Sequence, residues 1–89
     1  LDILFERDRF FIGDPEKPQA EITFHQVKDG QIEVDHTFVD ESLRGQGIAG
    51  KLVEAVAHYA REQGLKVSAT CSYAHKVLQH ERYSDIFAA

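Results

Sequence analysis

Hydrophobic residues come in short runs and alternations through the first half of the chain and at helical spacing through the second. Ile3-Leu4-Phe5 and Arg9-Phe10-Phe11-Ile12 read as strand material ending at Gly13-Asp14-Pro15. Gly13 to Pro18 holds both prolines, which predicts a turn or loop. Ala20, Ile22 and Phe24 then alternate with Glu21, Thr23 and His25, the period of a half-buried strand, and Val27 closes it. Lys28-Asp29-Gly30 supplies a hairpin connection, because Asp-Gly accommodates the positive φ of tight turns. Beyond it, simple alternation puts Ile32, Val34, His36 and Phe38 on one face and Glu33, Asp35, Thr37 and Val39 on the other. These segments most simply form an antiparallel meander.

The period changes at Asp40. From Gly47 to Gln63 the apolar positions are Ile48, Leu52, Val56, Tyr59 and Ala60, a buried helical stripe with Lys51, Glu54, His58, Arg61 and Glu62 outside it. Gly64 is placed to end this helix with a left-handed residue. Leu65 to Thr70 is a short strand, so Phe38 to Thr70 reads as strand, helix, strand, with the second strand parallel to the first by a right-handed crossover. Ser72 is the expected N-cap of a second helix running to about Gln79, with Tyr73 and Val77 on one face. The tail from Arg82 carries little pattern, and the fold class is α/β, of the α+β kind.

Bulk properties narrow the possibilities. Eighty-nine residues make one domain, 1–89, with a thin stability margin. The net charge of −5 disfavours nucleic acid and anionic membranes as partners and suits a cationic acceptor. No apolar run is long enough to cross a bilayer. The lone Cys71 excludes an internal disulfide and fits a reducing compartment, which makes the cytoplasm the expected location. The chain has no methionine, so Leu1 is not expected to be the native start. The five histidines lack metal-ligand spacing, and no metal site is expected.

The chemistry centres on Arg44-Gly45-Gln46-Gly47-Ile48-Ala49, where a strand hands over to a helix. The first amides of a helix lack internal partners and point outward at the positive end of its dipole. Glycines there clear the approach, giving a phosphate cradle to which Arg44 and Lys51 add charge. The segment lacks the Gly-Lys-Ser/Thr ending of a Walker loop, and it follows a meander rather than opening a parallel dinucleotide unit. The structural alternative is a glycine-rich helix start that merely packs closely on the sheet.

Arg44-x-x-Gly47-x-Ala49 fits the Gln/Arg-x-x-Gly-x-Gly/Ala pattern of the GCN5-related N-acetyltransferases. With His36-Thr37-Phe38-Val39, Cys71-Ser72-Tyr73 and His80 to Asp85, nearly the whole chain resembles the compact branch of that family. The resemblance implies a minimal acetyltransferase fold with a splayed sheet, the loop amides holding the coenzyme A pyrophosphate, and the strand near Phe38 and Val39 pairing with the pantetheine arm. It also implies acetyl-CoA as cosubstrate, an amine as acceptor, and an acyl group lying between the strand ending at Val39 and the strand Leu65–Thr70. Acceptor identity, acyl length and oligomeric state are not written in the sequence.

The family often uses a glutamate on the strand before the loop as base, and this chain has Phe38 or a neighbour there. His36 is the substitute base, its ordinary pKa being near neutral, or else a core histidine sharing a face with Ile32, Val34 and Phe38. Cys71 sits between a strand end and a helix start, where thiolates are favoured. It is an acyl-accepting nucleophile with His36 as partner, a residue lining the acyl gap, or a small buried hydrophobe. Tyr73 is a proton donor to the departing thiolate or a packing residue, with packing favoured for Tyr83. His80 is expected to cap, and His25, His58 and His75 to be solvated or at edges. An acetyl-CoA-dependent N-acetyltransferase, a non-catalytic acyl-CoA-binding module or sensor, and a nucleotide- or RNA-binding domain all share the cradle. The last lacks a basic surface and an aromatic platform.

Overall fold

The computed structural model describes residues 2–88, so the expectation about Leu1 falls outside it. Five strands form one sheet in chain order: β1 (Leu4–Glu6), β2 (Arg9–Asp14), β3 (Lys17–Lys28), β4 (Gln31–Val39) and β5 (Lys66–Ala69). The first four run antiparallel, and β5 joins β4 in parallel, as the strand–helix–strand pattern predicts. Helix α1 (Ile48–Gln63) makes the crossover and α2 (Ser72–Leu78) follows β5. Single turns of 3-10 helix occupy Glu41–Leu43 and Glu81–Tyr83. Among the described residues no helix is long and apolar enough to cross a membrane.

The apolar spacing of α1 buries Ile48, Leu52, Val53, Val56, Ala57 and Ala60 against Ile12, Ala20, Ile22, Phe24, Ile32, Val34 and Val67 of the sheet. Each large aliphatic among them contributes about 1.5–3 kcal/mol by leaving water. Gly64 ends α1 at φ 70°, its amide returning to the carbonyls of Ala60 and Arg61, as expected of a left-handed C-cap. Among the described residues the opposite face of the sheet carries no helix. Its one deeply buried side chain, Phe11, lies beneath the Arg9 guanidinium, 4.4 Å from the ring centroid, which Glu6 and Glu21 hold in place.

Three expectations change. The stretch Gly13 to Pro18 is mostly strand: β2 and β3 are joined by Pro15 and Glu16 alone, with a register shift at Gly13 (φ 96°) and Pro18 paired opposite it. Helix α2 is capped by Cys71 rather than Ser72, because Cys71 is the last extended residue, at φ −68° and ψ 119°. The largest correction concerns β4. Val34 pairs with Phe24 but His36 pairs with Thr23, so Asp35 is an extra residue in a β-bulge. The bulge reverses the alternation beyond it. Thr37 and Val39, opposite buried Ile22 and Ala20, face the helices, while His36 and Phe38 stand on the open face and are exposed. His36 is therefore not a core histidine.

The tail that carried no pattern is structural. Tyr83 and Ile86 are buried in the core, and Val67 gives its amide to Ile86 and receives that of Ala88, forming a parallel bridge with Phe87. Arg61 holds Asp85 through two nitrogens at 2.9 and 3.0 Å, and Lys66 donates to the Asp85 carbonyl at 2.6 Å.

Candidate functional site

Strands β4 and β5 stay in register only from Gln31–Lys66 to Val34–Ala69. Beyond that point β4 continues through Val39, while the chain after β5 folds back to donate the amides of Thr70 and Cys71 to the Val34 carbonyl. A gap opens there, bounded by Thr37 and Val39 on one side and Cys71 on the other. The Cys71 sulfur lies 3.5 Å from the Thr37 hydroxyl, where the thiol donates and a thiolate would accept. Partial burial pushes the Cys71 thiol up, but the Thr37 hydroxyl and the amides of Ala74, Tyr73 and Thr37 outweigh it and bring it below the ordinary value.

The glycine-rich segment follows β4. Asp40 caps the first turn, its carboxylate accepting the Ser42 amide at 3.0 Å and hydroxyl at 2.6 Å; these bonds hold its carboxyl below the usual range. Gly45 and Gly47 adopt φ of 81° and 72°, the left-handed region that favours glycine, and a Cβ at either would meet open space. The first α1 hydrogen bond joins the Lys51 amide to the Gly47 carbonyl at 3.1 Å, which leaves the amides of residues 48–50 without partners inside the helix. Arg44 turns back to donate from Nε to the Val39 carbonyl at 3.3 Å.

Two depressions meet at this turn. A cleft of about 230 Å³ runs from Val39 and Leu43 across Arg44 and Gly45 to Gly50, and a groove of about 790 Å³ lies between α1 and α2. Both are bordered by Gly47, Gly50 and Tyr73. A Cβ on Gly50 would lie 3.8 Å from the Tyr73 hydroxyl. Burial, followed by the charges of Tyr83 and Cys71, pushes the Tyr73 phenol up and keeps its proton in place. Lys51 lines the larger groove, Gln46 a small recess with Ile3 and Ile12, and Ile48 turns into the core.

The predicted residues thus fall into two groups. Val39, Arg44, Gly45, Gly47, Ile48, Ala49, Lys51 and Tyr73 line the two adjoining depressions on the helix side, Gln46 lines a separate recess, and Cys71 meets Thr37 at the gap beside β4. His36 and Phe38 stand on the open face, and among the described residues the His36 side chain enters no hydrogen bond or ion pair. The expected Cys71–His36 partnership is not formed, because Cys71 meets Thr37, whose side chain faces away from that of His36.

Sequence reasoning missed Thr37, hidden on the wrong face by the bulge. His25 is exposed, as expected of a solvated or edge position, and it has a partner the pattern did not reveal. His25 Nδ1 lies 2.8 Å from Asp35, which also takes the Thr23 hydroxyl. Burial pushes the Asp35 carboxyl up, but those two partners hold it below the usual range. Lys76 and His80 lie three and seven residues after Tyr73 and line the same groove, spacing that was available in the sequence.

Residues 9–86 match the family described as GCN5-related N-acetyl-transferase. A GCN5-like protein from Staphylococcus aureus, known from a solution NMR structure, is 41% identical, superimposes with a TM-score of 0.85, and covers 100% of this chain and 89% of its own. Rv2747 from Mycobacterium tuberculosis, crystallised with CoA, shares the fold at a TM-score of 0.58 and 21% identity over 70% of this chain and 40% of that one. Protein NATD1 from Xenopus tropicalis is 31% identical over 61 residues, 68% of this chain. The match covers 56% of NATD1, so the chain spans little more than half of that relative's length.

Proposed function

As the chain belongs to the GCN5-related N-acetyltransferase family, we propose that it transfers an acetyl group from acetyl-CoA to an amine. The observation that carries this is the loop: two left-handed glycines and the unpartnered amides of residues 48–50 open beside the gap where β4 parts from β5. Those amides fit a pyrophosphate, with Lys51 adding charge. The cleft toward Val39 fits the pantetheine arm, and the free edge of β4 at Thr37 to Val39 offers it backbone partners. The CoA held by Rv2747 supports this ligand class for the fold.

Acetyl-CoA supplies the activated carbonyl; the chain supplies position and protons. Tyr73, protonated and at the helix side of the gap, donates to the departing thiolate. His36 receives the amine proton from the open face. Cys71 lines the thioester from the helix side. With Thr37 between them, Cys71 and His36 act from opposite sides of β4 rather than as a pair, which favours direct transfer over an acyl-cysteine. The open sheet face suits an acceptor presented by a larger molecule.

The bareness of that face also supports a second role, a non-catalytic acyl-CoA-binding module, since no described element walls an acceptor site. Calorimetric titration with CoA and acetyl-CoA, on the wild type and on Gly47→Glu, tests the shared premise. Binding by the wild type alone is expected, and no binding by the wild type would sink both roles. Thioester turnover with lysine peptides, polyamines and aminoglycosides then separates them: turnover supports the transferase, and binding without turnover the module.

A further inference from the structure

The open face of the sheet holds a line of side-chain contacts that crosses β5, β4 and β3 and ends at the bulge of β4. Gln31 donates to the Ser68 hydroxyl at 3.1 Å and Ser68 donates to Glu33 at 3.1 Å, which ties β4 to β5 just before the two strands part. Glu33 in turn lies 3.8 Å from His25 Nε2 on β3. His25 Nδ1 lies 2.8 Å from one Asp35 oxygen, and the other takes the Thr23 hydroxyl. Asp35 is the extra residue of the bulge and has no partner of its own in the β3 register. Its side chain therefore does what the ladder does not, and fastens the bulged residue to β3 through Thr23 and His25.

The need for a fastening follows from the residues beyond it. With the bulge, Thr37 and Val39 face the helices and His36 and Phe38 the open side; without it, the two pairs would change places. Each pair has one polar and one apolar member, so the hydrophobic pattern does not choose between them. Burial even favours the unbulged choice, since Phe38 is 37% exposed and its ring would gain more than the Val39 side chain by leaving water. We propose that Asp35, held by Thr23 and His25, is a positioning residue that fixes the facing of β4 and so delivers the Thr37 hydroxyl to Cys71 on the other side of the sheet. Asp35 acts on that contact through the backbone of β4, from the face opposite the gap. The device is independent of coenzyme binding, because it shapes the gap whether or not a thioester enters it.

Alkylation of Cys71 by iodoacetamide reads the Thr37 contact without coenzyme or acceptor, so failure of the acetyl-transfer role would leave this test intact. In Asp35→Ala the pH midpoint of alkylation should rise and the rate at neutral pH should fall roughly three- to tenfold, the worth of one hydrogen bond. Thr37→Val should give the same change, and the Asp35→Ala/Thr37→Val double variant no further one, because both act on a single contact. Asp35→Asn can still accept from Thr23 and donate to His25, and it should stay near the wild type. Thr23→Val keeps a β-branched strand residue, removes one of the two fastenings, and should move the midpoint the same way by less. Urea unfolding establishes that each variant is folded before it is alkylated. The sign separates positioning from charge, since loss of a nearby carboxylate alone would lower the thiol midpoint. A lowered midpoint in both Asp35→Asn and Asp35→Ala would therefore overturn the assignment, as would additive effects in the double variant. An unchanged midpoint in folded Asp35→Ala would do the same, and if that variant does not fold, an unchanged midpoint in Thr23→Val decides against it.

Discussion

The Thr37 hydroxyl and the Cys71 sulfur face each other at 3.5 Å across the gap that opens beyond Val34. The hydroxyl is one of the groups that bring the thiol below its ordinary value. Thr37→Val keeps the shape and removes the hydroxyl, so the pH midpoint of Cys71 alkylation by iodoacetamide should rise. Thr37→Ser should stay near the wild type. An unchanged midpoint in the valine variant would assign the lowering to the backbone amides alone.

Gly47 and Gly64 are both left-handed, at φ 72° and 70°, yet only Gly47 adjoins the candidate ligand site. Alanine at either position should cost about 1–2 kcal/mol of stability. The two variants should part in CoA titrations, where Gly64→Ala binds as the wild type and Gly47→Ala binds more weakly. Equal binding by both would remove Gly47 from the ligand site.

Tyr73→Phe retains the ring that borders both depressions and loses the proton. Turnover of acetyl-CoA should fall by about 10²-fold or more, the usual scale for a general acid. CoA affinity should change little. A fall in affinity with unchanged turnover would make Tyr73 a binding residue.

Asp35 is held below the ordinary carboxylate range by Thr23 and His25 despite its partial burial. A depressed folded pKa adds stability that is complete above the unfolded value, about 4, and is lost as pH falls through the folded one. Urea midpoints measured from pH 7 down to 3 should therefore fall less steeply in Asp35→Asn than in the wild type, and the variant should start lower at pH 7. Parallel acid limbs would show that Asp35 does not couple to folding.

Much of the architecture was legible because it rests on period. The alternation of Ala20, Ile22 and Phe24, the stripe of α1 and the Asp29-Gly30 turn each carry a local signal, and all three lie in the fold as expected, with Gly30 at φ 77°. The bulge at Asp35 carries none. It follows from pairing with β3, a non-local matter, and it reversed the assignment of His36, Thr37, Phe38 and Val39 at the place where the chemistry is expected. The glycine turn lies before α1 with Gly45 and Gly47 left-handed, because its signal is composition rather than facing. The tail was opaque for another reason: Tyr83 and Ile86 are single anchors without a repeat, legible only once the outer side of β5 is known to need a partner.

Ile86 is 3% exposed and its carbonyl receives the Val67 amide. Ile86→Ala should cost about 2–5 kcal/mol, a large share of the stability of so small a domain. Denaturant unfolding measures the loss, and hydrogen exchange should show the Val67 amide among the groups that open first. A loss below the range of an exposed substitution would show that the tail is held by the Arg61–Asp85 pair instead.

That bridge also governs how the protein meets its neighbours. With β5 paired to β4 on one side and Val67 bonded to residues 86 and 88 on the other, β5 presents no open ladder at its centre, and the sheet cannot be extended there by another chain. Among the described residues the outer strand at the other end of the sheet is β1, three residues long, with Leu4 and Phe5 about half exposed. A chain added along β1 would lengthen the sheet at the end remote from the gap and leave the unpaired stretch of β4 from Thr37 to Val39 open.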